Sequence, residues 1–149
     1  MKYSQAELGR VFILRLEDGD RIPDVIEDFA FEKEIEAAAV QFLGGADKGS
    51  KVIVGPEDGA ASEPEPLVTS LPGVSEAAGV GTLFQNEVGQ PVLHLHSAFG
   101  RGGKTITGCN RAGVDVWHIG EVIIMELKNS SALRKKDPET GFELLEVDE

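Results

Sequence analysis

The stretch Val92-Leu-His-Leu-His-Ser-Ala-Phe99, with Gly100-Arg-Gly-Gly-Lys-Thr-Ile-Thr-Gly-Cys109 after it, decides the fold. Its first half alternates side chains between two faces, as a half-buried strand does. Gly102-Gly103 suits a two-residue hairpin loop, because the primed turns need positive φ. With those glycines as the loop, Arg101 pairs with Lys104. Counting back sets His96 opposite Cys109 and His94 opposite Arg111. His94 and His96 are two apart on a strand, so both imidazoles point the same way, with Cα atoms about 6.5–7 Å apart. Directly opposed residues share a face, with Cβ atoms about 4.5–5.5 Å apart. The single cysteine of the chain thereby joins its His-x-His pair. A slip of one residue would move Cys109 to the far face.

Two neutral imidazoles and a thiolate suit zinc, ahead of iron or nickel, and three protein ligands leave a fourth position open. Glu76, Glu121 and His118 could supply a fourth or a supporting group, but the spacing selects none of them. The plainer reading keeps the histidines as hydrogen-bonding groups and the cysteine as a small buried hydrophobe. Ser97 lies on the face opposite the histidines, which argues against a Ser-His pairing. Gly100 to Lys104 resembles part of a phosphate loop but lacks the Gly-Lys-Ser/Thr start of a helix. Trp117 and Phe99 could line a pocket or interface, and core packing is the expectation for both. Glu63 and Glu65 belong to a loop and are expected to be solvated.

Upstream, Val11 to Leu16 reads as a strand buried on both faces. Asp20 can cap a helix over about 21–35, with Pro23 in its first turn and Ile22, Val25, Ile26 and Phe29 as an apolar stripe. Ala37 to Leu43 is a second strand, stopped by Gly44-Gly45, and Lys51 to Val54 a third. The Glu/Pro/Ala/Gly-rich segment 57–66 is a loop. Leu67 to Leu71 and Val80 to Gln85 are short strands. Downstream, Val114 to His118 and Glu121 to Leu127 read as two strands. A polar tail follows Lys128, and Phe142 to Val147 could add a last strand. One helix among many short strands predicts an α+β fold: a mostly antiparallel sheet with one main helix near the N-terminus. The 149 residues fit a single compact domain, 1–149, with a core over about 8–128 and a polar C-terminal tail over 129–149.

The net charge of -12 repels a phosphate backbone. The basic groups at Arg101 to Lys104 and Arg134 to Lys136 are small, so nucleic acid is not an expected partner. No apolar run reaches the roughly 18 residues that cross a membrane, and the N-terminus lacks a secretion signal. The lone cysteine fits a reducing compartment, so a cytoplasmic location is expected.

The order of these segments resembles the PPC (plant and prokaryote conserved) family. The residues that carry the likeness are Arg10-Val-Phe-Ile-Leu-Arg-Leu16 followed by Gly-Asp and a helix, Phe42-Leu-Gly-Gly-Ala46, Val92-Leu-His-Leu-His-Ser-Ala98 and Gly120-Glu-Val-Ile-Ile-Met-Glu-Leu127. The resemblance implies a compact domain that assembles into trimers, with His94 and His96 as the family's paired histidines. Many members have Gly-Gly-His-Leu downstream. Here the comparable stretch is Thr107-Gly-Cys-Asn-Arg-Ala-Gly113, which sets Cys109 where that histidine would be. The chain has no Arg-Gly-Arg-Pro AT-hook, so the family's DNA-binding label does not carry over. The expected function is a trimeric, metal-containing domain that binds a small ligand or a partner at a subunit boundary. The alternatives are a metal-dependent enzyme, with Glu121 or His118 as acid or base, and a DNA-associated regulator.

Overall fold

The computed structural model describes residues 1–61 and 64–147, so the expectation for Glu63 lies outside the described residues. β1 (Glu7–Leu16) is paired antiparallel with the long β9 (Val114–Lys128). β3 (Ala37–Ala46), β6 (Ser75–Gln85), β7 (Pro91–Arg101) and β8 (Lys104–Cys109) follow across the sheet, and β4 (Lys51–Pro56) and β5 (Pro66–Ser70) complete the order β1-β9-β3-β6-β7-β8-β4-β5. The short β2 (Arg21–Ile22) pairs with the start of β9. A separate hairpin, β10 (Leu133–Lys136) and β11 (Glu143–Glu146), is built from the tail. The fold is therefore α+β and mostly antiparallel, with one α-helix among the described residues, near the N-terminus, as the sequence indicates.

α1 (Asp24–Glu32) is shorter than the apolar periodicity suggests. The Asp20 carboxylate does not cap it. That group accepts the Glu17 N–H at 2.8 Å and closes a turn, and Arg21-Ile22 is drawn into pairing with β9. Pro23 occupies the N-cap, which suits a residue with fixed φ and no N–H to satisfy. The helix stops at Glu34, whose φ of 53° turns the chain, and the Ile35 N–H returns to the Ala30 carbonyl at 2.9 Å. Ile26 and Ala30 are buried against the inner face of the sheet, with Val40, Ile124, Leu83 and Leu95 in the same core. Each large aliphatic side chain buried there stabilises the fold by about 1.5–3 kcal/mol. Glu27 reaches from α1 to accept the Leu93 N–H at 2.7 Å, which ties the helix to β7 beside the histidines. Burial raises the Glu27 carboxyl above the usual carboxylate range.

Three strand expectations are corrected. β1 is an edge strand, so Val11 and Ile13 face outward and Ile13 is 83% exposed. β3 runs through Gly44-Gly45 because β9 passes so close that a Cβ on Gly44 would strike the Ile119 carbonyl, and one on Gly45 would lie 2.6 Å from the Trp117 carbonyl. β9 is one continuous strand: its turn at His118 is absorbed as a kink at φ 55° with the His118 N–H bonded to Asp18. No helix among the described residues is long and apolar enough to cross a membrane.

Candidate metal centre

The hairpin register is the expected one. Arg101 pairs with Lys104 around Gly102-Gly103, whose φ values of 57° and 75° are those of a primed turn, and His96 pairs with Cys109. His94 does not face Arg111. The ladder ends at Cys109, and Asn110–Ala112 forms a 3₁₀ turn. The turn is closed by the Gly113 N–H donating to the Asn110 carbonyl at 2.9 Å, and Asn110 is buried, its Nδ2 donating to the Ser97 hydroxyl on the inner face at 2.9 Å. On the other side of β7, Thr82 of β6 pairs with His94.

His94, His96 and Cys109 are brought together: their ligand atoms all lie within 4.8 Å of one another. The two Nε2 atoms are 3.0 Å apart and the rings stand at 80° to each other. Cys109 has only 9% of its surface exposed, because Ile53 of β4 pairs with it on the far side. Burial, aided by the charges of Arg134, His96 and Arg111, lowers the His94 pKa to about 4. The ring is therefore neutral at physiological pH, the form that coordinates a metal.

The three further candidates stand elsewhere. His118 keeps company with Asp18, its Nδ1 3.6 Å from the carboxylate. Glu76 and Glu121 line a shallow cavity with Trp117. None of them joins the cluster among the described residues. Ser97 is buried on the inner face, Phe99 is core, and Glu65 is exposed, all as expected. Trp117 is not core; it is part-exposed and stacks edge-on against His118.

His96 and Cys109 belong to one row of outward-facing residues that crosses the whole sheet: Ile13, Ile123, Gln41, Val80, His96, Cys109, Ile53 and Val68, each paired with the next. Much of that row is apolar and open; Val80 is 69% exposed. On its other side the site opens into a cavity of about 520 Å³ lined by the three candidate ligands, Arg111, Arg134 and residues of β11. Arg134 lies in the tail and was not singled out as a site residue by the sequence. Its signal there was the short basic run 134–136, which reads as surface charge.

Fold and site together define a small α+β domain carrying a His/His/Cys cluster on a sheet face. The chain belongs to the Plants and Prokaryotes Conserved (PCC) domain family, whose model matches residues 3–128. Among solved structures it resembles the metal-containing protein of Archaeoglobus fulgidus, at 27% identity and a TM-score of 0.81, over 97% of this chain and 98% of that one. It also resembles a plant- and prokaryote-conserved protein of Pyrococcus horikoshii, at 24% identity and a TM-score of 0.85, over 100% and 99%. A third likeness is a candidate DNA-binding protein of Ralstonia eutropha, at 22% identity and a TM-score of 0.68, over 91% and 90%. No curated protein matches the sequence.

Proposed function

We propose that the chain is a metal-binding domain, with His94, His96 and Cys109 as ligands of one zinc ion and a small ligand admitted at the open fourth position. The observation that carries this reading is the convergence of three donors of the right chemistry within 4.8 Å. The donor set fits zinc: imidazole nitrogen and thiolate sulfur are its commonest protein ligands. The name of the Archaeoglobus relative points the same way. A zinc ion there would supply Lewis acidity and an open coordination position. The protein's own part is to hold His94 neutral, to shield Cys109 under Ile53 and to anchor β7 through Glu27. The apolar row beside His96 supports assembly as a homotrimer, which would cover that row and set the metal centre at a subunit boundary. Elemental analysis of the purified protein tests the proposal: one zinc per chain is expected, falling to a trace in Cys109→Ala, and equal metal content in both would refute it.

A metal-dependent enzyme is the second reading, favoured by the cavity that opens at the cluster. Turnover lost on chelation would establish it. A DNA-associated role draws on the names of the Ralstonia relative and of a similar Bacteroides thetaiotaomicron structure, and the net charge of -12 opposes it.

A further inference from the structure

The β10–β11 hairpin lies outside the residues that define the family, yet it forms a wall of the cavity over the candidate ligands. Arg134 of β10 reaches down to the sheet. Its Nη2 donates to the Thr82 hydroxyl at 3.0 Å, and Thr82 is the residue directly opposite His94. The guanidinium carbon sits 5.9 Å from the Phe84 ring centroid. Arg134 is only 6% exposed, and its Nε is buried without a hydrogen-bond partner among the described residues. A buried guanidinium with an unused donor is costly unless an anion completes it.

Arg111, on the 3₁₀ turn after Cys109, lines the same cavity. Its charge is near enough to lower the proton affinity of both Arg134 and His94. Glu143 of β11 is the one carboxylate among the described lining residues, and against Arg111 and Arg134 it leaves a positive surplus once a divalent ion is bound. The remaining walls are largely apolar: Pro56, Pro66, Phe142, Leu144 and Leu145. A cavity with guanidinium groups at the metal end and hydrocarbon elsewhere suits an amphipathic anion. The planar fork of arginine matches a carboxylate in bidentate fashion.

We propose that this cavity takes a small organic carboxylate, its head group received by Arg134 and Arg111 beside the metal centre and its hydrocarbon body laid on Phe142, Leu144 and Pro66. The assignment deepens the metal-centre reading and rests on it for the head group's second contact, whereas the two arginines stand without it.

Titration calorimetry of the full chain, zinc-loaded and chelator-stripped, tests this with butyrate, octanoate, octan-1-ol and inorganic phosphate as probes. Octanoate is expected to bind more tightly than butyrate, and octan-1-ol not to bind. Arg134→Met and Arg111→Gln should each weaken octanoate about tenfold or more, the loss of a charge-assisted hydrogen bond. Arg111 is on an exposed turn, so its variant decides the matter if Arg134→Met does not fold. Absence of octanoate binding in both states, undiminished binding in Arg111→Gln, or binding of phosphate but not octanoate would each overturn the proposal. Metal content measured on the same samples separates the two readings. Arginine-dependent octanoate binding without stoichiometric metal removes the metal centre and keeps the carboxylate site; stoichiometric metal without octanoate binding does the reverse.

Discussion

The Nε2 atoms of His94 and His96 lie 3.0 Å apart, so two rings that would repel as imidazolium ions are packed face to edge on one strand. The arrangement is stable only while at least one ring is neutral. His94, held to a pKa of about 4, is that ring.

This has a consequence for stability without metal. Between about pH 4 and the ordinary histidine value of about 6.5, the unfolded chain binds a proton at His94 and the folded chain does not. The His94 contribution to stability therefore rises with pH across that window, is lost as pH falls through it, and levels off below about 4. Denaturant titrations of chelator-treated protein at a series of pH values should show the slope, and His94→Gln should flatten it. An unchanged slope in the variant would contradict the assignment.

Gly108 precedes Cys109, and a Cβ there would collide with the Ile53 carbonyl and lie 2.7 Å from Val52 Cγ1. β4 pairs with β8 through the single Ile53–Cys109 rung, so the strands have little with which to resist being parted. Gly108→Ala should cost on the order of 1–3 kcal/mol and lower metal retention, read by thermal melting and elemental analysis. Gly102→Asn is the control: its side chain meets open space and asparagine tolerates a φ of 57°.

At the opposite end of the sheet, the Glu126 carboxylate is 5% exposed and accepts three hydrogen bonds from Arg10: from the backbone N–H and Nε at 2.9 Å, and from Nη2 at 2.7 Å. The Arg10 side chain, ahead of its backbone N–H and charge, holds the Glu126 pKa at about 2. That lowered value stabilises the fold above the ordinary carboxyl value of about 4.5, and the benefit is lost as pH falls from there toward about 2. Glu126→Gln should cost on the order of 1.5–3 kcal/mol at neutral pH, the worth of hydrogen bonds to a charged group. The gap between variant and parent should close as the pH is lowered through that window, which urea midpoints at pH 7 and pH 3 would show.

Val80 occupies the rung beside His96, and with Leu43, Ile123 and Ile13 it leaves an apolar stripe open on the outer face. If assembly covers that stripe, Val80→Lys should shift the mass measured by light scattering from trimer toward monomer without altering the circular dichroism. A parent that is already monomeric at high concentration would count against assembly.

The His94, His96 and Cys109 cluster was legible because it rests on two periodicities, the alternation of one strand and the count around a Gly-Gly turn. The observed ladder keeps that count, pairing Phe99 with Ile106 and Ser97 with Gly108. What was not legible depends on partners distant in sequence. Asp20 looks like a helix cap, but its partner is the Glu17 N–H. Arg111 leaves the expected ladder in a 3₁₀ turn closed by the Gly113 N–H on the Asn110 carbonyl. Gly44-Gly45 looks like a stop, and nothing local reveals that β9 will pass over it. Val11 and Ile13 look buried, and only the strand order makes β1 an edge. Arg134 reads as part of a basic run, and its inward path depends on Thr82 and Phe84, some fifty residues earlier.

X-ray absorption at the zinc edge of the purified, metal-loaded protein tests the central claim most directly. Two nitrogen neighbours at about 2.0–2.1 Å and one sulfur at about 2.3 Å are expected, with the sulfur shell absent in Cys109→Ala. A spectrum with only oxygen and nitrogen neighbours, unchanged by that substitution, would contradict it.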